Sequence, residues 1–405
     1  MNVYDGGVTQ SAAAAHPIHA TGQVQPWRIL CGLVVSGFLL ALPGGLLPLW
    51  DFHISQDFFR AANYFFVLGA GMTAGAAAAL RFREKISAAH LLATGCFGGA
   101  VSLLLLSVAA PPAGFWFQSL ALSIAGMSAG AINTAIFESI APAYEANPAK
   151  ITLTGGIFFG AGSILAAYLL AQCFDASSPM RLLAVTALIP AAAGVAFGRA
   201  PLTQPALSPL PEMHVVKDLR SVLAILFALL LFFQFSCEWS LAGWLPVFLI
   251  DRLGISPESA VTLLAVYWLA LTSGRLATAR LLPLVRHGRL LAIAAFCALF
   301  GCTCMLAAGT RVGVVVGILL TGAGFSAIYP LAAESIASRF SYYHPGYFNG
   351  IFTFAMLGGI LAPFVLGHLA AVWGLRVVPV AAMLGSCAVF SLVLLIWLGH
   401  KVSGS

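Results

Sequence analysis

The stretch AINTAIFESIAP, Ala131–Pro142, returns later in the chain as AIYPLAAESIAS, Ala327–Ser338. In both copies one glutamate, Glu138 or Glu334, stands in a segment otherwise dominated by small and apolar residues. At one constant spacing Ala131, Ile132, Glu138, Ser139, Ile140 and Ala141 match Ala327, Ile328, Glu334, Ser335, Ile336 and Ala337, and Gly126 matches Gly322. The same spacing aligns GSILAA, Gly162–Ala167, with GGILAP, Gly358–Pro363. Nearby spacings pair LLPLW, Leu46–Trp50, with WLPVF, Trp244–Phe248, and TAG, Thr73–Gly75, with TSG, Thr272–Gly274. A single short apolar match is common in a restricted alphabet, but a set that keeps one order along the chain marks two related halves.

The medium around those halves follows from composition. Of 405 residues, 60% are hydrophobic and 8% charged, and mean hydropathy is +0.98, whereas soluble domains carry roughly 25% charged residues. A water-facing surface cannot be covered with so few polar groups, and lipid removes that requirement while demanding that backbone hydrogen bonds close within helices. An all-α membrane protein is therefore expected. The net charge of +6 does not indicate nucleic acid, because the 19 Lys and Arg residues are scattered singly between apolar runs. The eight cysteines show no metal or disulfide spacing, and no metal or cofactor is implied. The first apolar run is too long for a signal peptide and is followed by many more.

About 20 apolar residues cross the hydrocarbon. Cutting the chain where charges and turn residues cluster gives twelve spans, at 27–50, 57–80, 87–109, 114–141, 151–172, 180–198, 221–250, 259–281, 289–308, 312–337, 347–371 and 376–399. The Pro-rich stretch RAPLTQPALSPLPEMHVVKDLR, Arg199–Arg220, reads as a linker. The expected division is a cytoplasmic segment 1–26, a six-helix bundle 27–198, the cytoplasmic linker 199–220, a second six-helix bundle 221–399 and a tail 400–405. Most Lys and Arg residues fall in the loops on the side of the termini, which the positive-inside rule makes cytoplasmic. A multi-pass protein of the bacterial inner (plasma) membrane, acting as a monomer, is expected.

Two parallel six-helix bundles related about the membrane normal form a secondary transporter that binds its substrate near midplane between them. At this point the chain resembles the major facilitator superfamily over essentially its whole length. GAAAALRFREK, Gly75–Lys85, keeps the basic residues of the superfamily's loop between spans two and three, and GRLATARLLPLVRHGR, Gly274–Arg289, is the better preserved counterpart. The seventh span, FFQFSCEWSLAGWLPVFLIDRLG, Phe232–Gly254, resembles the fucose permease-like, fucose:proton symporter branch through Phe232, Glu238, Trp244 and Leu245-Pro246. That resemblance implies proton-coupled sugar uptake. Asn133 stands where the branch pattern leads to a polar or acidic residue that faces the sugar, here an amide, and the first span has no acid before Asp51.

A charge at midplane costs at least about 2.5 kcal/mol, so each needs a reason. Those inside spans are Glu138, Glu238, Arg275 and Glu334. Glu138 and Glu334, with Arg81, Arg83 and Arg275 nearby, are expected to tie helix ends together as a cytoplasmic gate of Glu138, Arg275, Glu334 and Arg81. Glu238 lies near the bilayer centre, where no basic residue is expected; as an isolated carboxyl it could bind substrate hydroxyls, carry a proton, or both. Gln234 shares its helix face, and Asn133 and its repeat partner Tyr329 converge on the same centre by the superfamily's arrangement. The expected substrate contacts are Asn133, Gln234, Glu238, Tyr329 and Trp239, with Gln118, Asn349 and His368 as further candidates. The tryptophans suit either the C–H faces of a sugar or a lipophilic compound, so efflux of drugs is the rival reading. A membrane enzyme lacks its motifs here, and a sensor would lack a soluble relay domain. The expected partners are a small-molecule substrate, protons and the bilayer.

Overall fold

In a computed structural model, residues 26–109, 113–176, 178–200, 202, 221–339 and 350–403 are described. Residues 1–25 of the expected N-terminal segment, most of the 199–220 linker, Asn349 and the last residues of the tail lie outside them. Among the described residues, twelve helices are long and apolar enough to cross a membrane: Pro26–Leu49, Phe58–Phe82, Ala88–Val108, Phe115–Ser139, Pro148–Gln172, Pro179–Arg199, Val222–Leu253, Pro257–Leu281, His287–Ala307, Arg311–Ala337, Ile351–Trp373 and Val377–Leu398. They are numbered here in that order. Their ends differ from the expected ones by a few residues, because the charges that mark a loop in sequence often sit on the last helical turn.

Local chemistry sets several starts. The side chains of Asp57, Ser87, Asn147, Ser256 and Thr310 accept from the backbone N–H three residues on, each satisfying a donor that the first turn leaves open. Pro148 and Pro257 begin the fifth and eighth spans, where a missing N–H costs nothing. Gly254 ends the seventh span at φ 59°, a left-handed conformation that glycine adopts without Cβ strain. Prolines inside the first, seventh, tenth and eleventh spans are Pro43, Pro48, Pro246, Pro330 and Pro363.

Between lipid-immersed helices no hydrophobic effect drives association, so close contact depends on small residues that let backbones approach. The repeated glycines do this at equivalent crossings in the two bundles. A Cβ on Gly126 of the fourth span would lie 2.0 Å from the Leu68 carbonyl oxygen of the second, and one on Gly322 of the tenth span 2.8 Å from the Tyr267 carbonyl oxygen of the eighth. A Cβ on Gly162 of the fifth span would fall 1.9 Å from the Val34 carbonyl oxygen of the first, and one on Gly358 of the eleventh 2.3 Å from the Phe232 carbonyl oxygen of the seventh. The repeat in the sequence is thus a repeat of helix crossings, and the chain forms two pseudo-symmetric six-helix bundles.

The bundles face each other chiefly through spans two and eleven, five and eight, and one and seven. Away from the termini this seam is closed by apolar packing. Trp244 stands edge-on to Phe58 and tilted against Phe65 of the other bundle and donates its Nε1 proton to the Pro363 carbonyl at 2.9 Å. Phe66 meets Phe364, and Phe59 meets His368. Gly44 lies so close to the seventh span that a Cβ would sit 2.2 Å from the Ala242 carbonyl oxygen.

Candidate functional site

Below that closed seam, toward the terminal side, the bundles separate around a cavity of about 170 Å³. Residues from the first, second, fourth, fifth, seventh, eighth, tenth and eleventh spans line it. Four of the expected contacts, Asn133, Glu238, Trp239 and Tyr329, are on its wall. A smaller cavity of about 40 Å³ continues toward the far side and shares Leu40, Met72, Phe235, Trp239 and Met356 with the first.

Glu238 is 6% exposed and Arg275 7% exposed. Arg275 Nη2 lies 3.6 Å from Glu238 Oε1, and Arg275 Nη1 donates to the Gly156 carbonyl at 2.6 Å. This corrects two expectations: a basic residue does reach the depth of Glu238, and Arg275 belongs to the central cavity instead of the terminal-side gate. Helical side chains lean toward the N-terminus of their own helix. The seventh and eighth spans run in opposite directions, so Glu238 leans toward the terminal side and Arg275 leans up from it, and the two meet. Gly156 makes room, since a Cβ there would fall 2.8 Å from Arg275 Cδ. The cavity therefore holds a carboxylate and a guanidinium side by side and not an isolated carboxyl.

Gln234 takes a different role from the one expected. It is fully buried, and its Nε2 donates to Glu238 Oε2 at 2.5 Å, so it holds the carboxylate from behind and is not on the cavity wall. Tyr267 adds a 3.5 Å contact from its hydroxyl to the Glu238 carbonyl oxygen. Tyr329 stands edge-on to Phe235 and Phe352, and Trp239 stands edge-on to Phe159 and Trp268. Two cavity-lining polar atoms, Asn133 Oδ1 and Thr152 Oγ1, are buried without a hydrogen-bond partner among the described residues. Since buried polar atoms are nearly always paired in folded proteins, these two point to a ligand. Thr152, Gly156 and Phe159 were not legible as site residues, because the fifth span carries no charge after Lys150 to draw attention to them.

The expected gate residues separate. Glu138 Oε1 pairs at 2.9 Å with Arg83 and not with Arg81, which is exposed. Residues two apart on a helix point to opposite sides, so only one of the two arginines can face the fourth span. Glu334 Oε2 lies 3.3 Å from Nε2 of His287, the first residue of the ninth span. Glu138 thus ties the end of the fourth span to the end of the second, and Glu334 ties the end of the tenth to the start of the ninth, each within its own bundle. Gln118 is occupied on the far side, accepting from Arg60 at 2.8 Å and from Tyr64, and His368 packs there against Phe364.

A family model described as Major Facilitator Superfamily matches residues 29–363. Among solved structures, this chain is similar to FucP in the outward conformation, at 18% identity and TM-score 0.63, with 92% of this chain and 99% of that one covered. It is also similar to a variant of the E. coli fucose:proton symporter, at 18% identity and TM-score 0.61, covering 92% and 98%. The nucleoside transporter NupG, as a variant, aligns at 14% identity and TM-score 0.66, covering 92% and 99%. At these identities the likeness is one of fold. No curated protein sequence matches.

Proposed function

The chain belongs to the major facilitator superfamily, and we propose that it is a secondary active transporter carrying out proton-coupled uptake of a sugar or similar polar small solute by alternating access. The observation that carries this reading is the cavity between the bundles, where Asn133 Oδ1 and Thr152 Oγ1 await partners beside a buried ion pair and the Trp239 ring. Hydroxyls would satisfy the two open polar atoms, and the carbon face of the solute would rest on the aromatic rings. The solved relatives include a protein described as a fucose:proton symporter and one described as a nucleoside transporter. Fucose and nucleosides alike carry several hydroxyls on a compact ring.

Both termini and the wide part of the cavity then face the cytoplasm, as the loop charges require. The packed seam around Trp244 is the closed outer gate, and the pairs Glu138–Arg83 and Glu334–His287 keep each bundle's cytoplasmic end rigid while the bundles rock. Glu238, set against Arg275, is the proton site. The wall is otherwise rich in apolar residues, the feature that favours efflux of lipophilic compounds as a second reading.

A ligand that binds the folded state raises its melting temperature. Purified protein screened in detergent against sugars, nucleosides, sugar acids and lipophilic drugs at two pH values is expected to shift with a hydroxylated solute, to a pH-dependent extent. Shifts confined to lipophilic drugs would replace uptake with efflux.

A further inference from the structure

The charge balance of the cavity restricts what can enter it with a proton. Glu238 and Arg275 together are neutral. If a proton neutralised Glu238 beside an uncharged solute, Arg275 would remain as an uncompensated cation at 7% exposure, and a buried charge left without its partner is strongly destabilising. An anion entering without a proton would leave the opposite excess. A monoanion and a proton entering together preserve neutrality at every stage.

The geometry is arranged for that exchange. The contact from Arg275 Nη2 to Glu238 Oε1 is 3.6 Å, longer than a hydrogen bond, so the charges attract without a formed N–H···O bond. Arg275 is anchored independently through Nη1 to the Gly156 carbonyl, and Glu238 through Oε2 to Gln234. Neither group depends on the other for its position. Guanidinium presents a planar fork of donors suited to carboxylate, and Arg275 lines the cavity together with Asn133 and Thr152.

We infer that the substrate is a small hydroxylated monocarboxylate, of the sugar-acid or hydroxy-acid class, whose carboxylate takes Arg275 from Glu238 while the proton that travels with it occupies Glu238. The inference rests on the transporter reading above and narrows its solute to an anion. The proton arrives from the outer solution, bonds to Glu238 Oε1, and leaves to the cytoplasm when the substrate departs and Arg275 regains its carboxylate. The hydroxyls meet Asn133 Oδ1 and Thr152 Oγ1. Among the described residues, the titratable or charged groups facing Glu238 are Arg275 and Tyr267 from the eighth span and Tyr329 from the tenth; the first, fifth and eleventh spans present Leu40, Phe159, Phe352 and Met356 to the same space.

The test uses the full chain in proteoliposomes enclosing a pH-sensitive dye, with the membrane potential clamped by potassium and valinomycin. Labelled galacturonate and gluconate are compared with galactose and glucose. The expected result is accumulation of the acids under an inward proton gradient, with lumen acidification in a one-to-one ratio and no response to the clamped potential. Arg275→Gln is expected to lower acid uptake by about a hundredfold, the scale for truncating one member of a buried charge pair. Glu238→Gln is expected to keep acid counterflow and lose acidification, which also shows that the variant folds. Proton-coupled, potential-dependent accumulation of the neutral hexoses in preference to the acids would overturn the anion inference and leave the transporter reading standing. Uptake of neither class, in protein whose melting transition is intact, would overturn both.

Discussion

Arg83 and Glu138 are 7% and 12% exposed at their side chains, so removing one leaves the other charged in a poorly solvated place. Glu138→Ala is expected to cost about 3 kcal/mol, within the range for breaking buried pairs, while Arg81→Ala at an exposed site should stay within about 0.5 kcal/mol. Denaturation of both variants in detergent checks this; equal melting temperatures would remove Arg83 as the partner. The carboxylate was legible in the sequence because a charge is costly in an apolar segment, and a glutamate kept at the same place in both halves therefore demands a partner. The identity of that partner was hidden, since Arg81 and Arg83 are equivalent until the helix phase at the end of the second span is known. Glu238 and Arg275 show the same division: their presence inside spans was plain, but their encounter depends on two antiparallel helices tilting their side chains toward one level.

Helices in this protein meet through glycine, and the tolerance of each glycine follows from what lies opposite. Gly130 of the fourth span would place a Cβ 2.0 Å from the Met72 carbonyl oxygen of the second, while a Cβ on Gly198 finds only the Ala93 methyl at 3.6 Å. Backbone cannot yield as a side-chain tip can. Gly130→Ala is therefore expected to lower stability by about 1–3 kcal/mol or more through overpacking, and Gly198→Ala to be neutral or stabilising by up to about 1 kcal/mol through lost chain freedom in the unfolded state. Yield and melting temperature of the two proteins, compared after identical purification, would contradict this if their order were reversed. The run lengths between charges revealed all twelve spans, because crossing lipid fixes length and apolarity in sequence. The repeat singled out Gly126 and Gly322, whereas Gly37 and Gly71, equally tight against Phe159 and Ser123, have no signal until the neighbouring helix is in place.

Across the assembled chain, the apolar seam at Trp244 and the cavity below it fit one end of the rocking cycle proposed above. In a background freed of the eight native cysteines, Asn133→Cys is expected to react with a small thiol reagent applied from the terminal side, and Phe58→Cys, packed against Trp244 at the seam, to be protected. Substrate that drives the opposite state should reverse the two rates; protection of Asn133→Cys throughout would contradict access from that side. The number of spans, their apolarity, the related halves and the presence of charges within the bilayer were all written into the order of residues, because lipid imposes its demands on each helix separately. Which charges meet, which arginine serves Glu138, and that Thr152 and Asn133 share one cavity with open polar atoms were settled by the packing of helices from both bundles. Those relations depend on helix phase, direction and depth together, and no single stretch of chain contains all three.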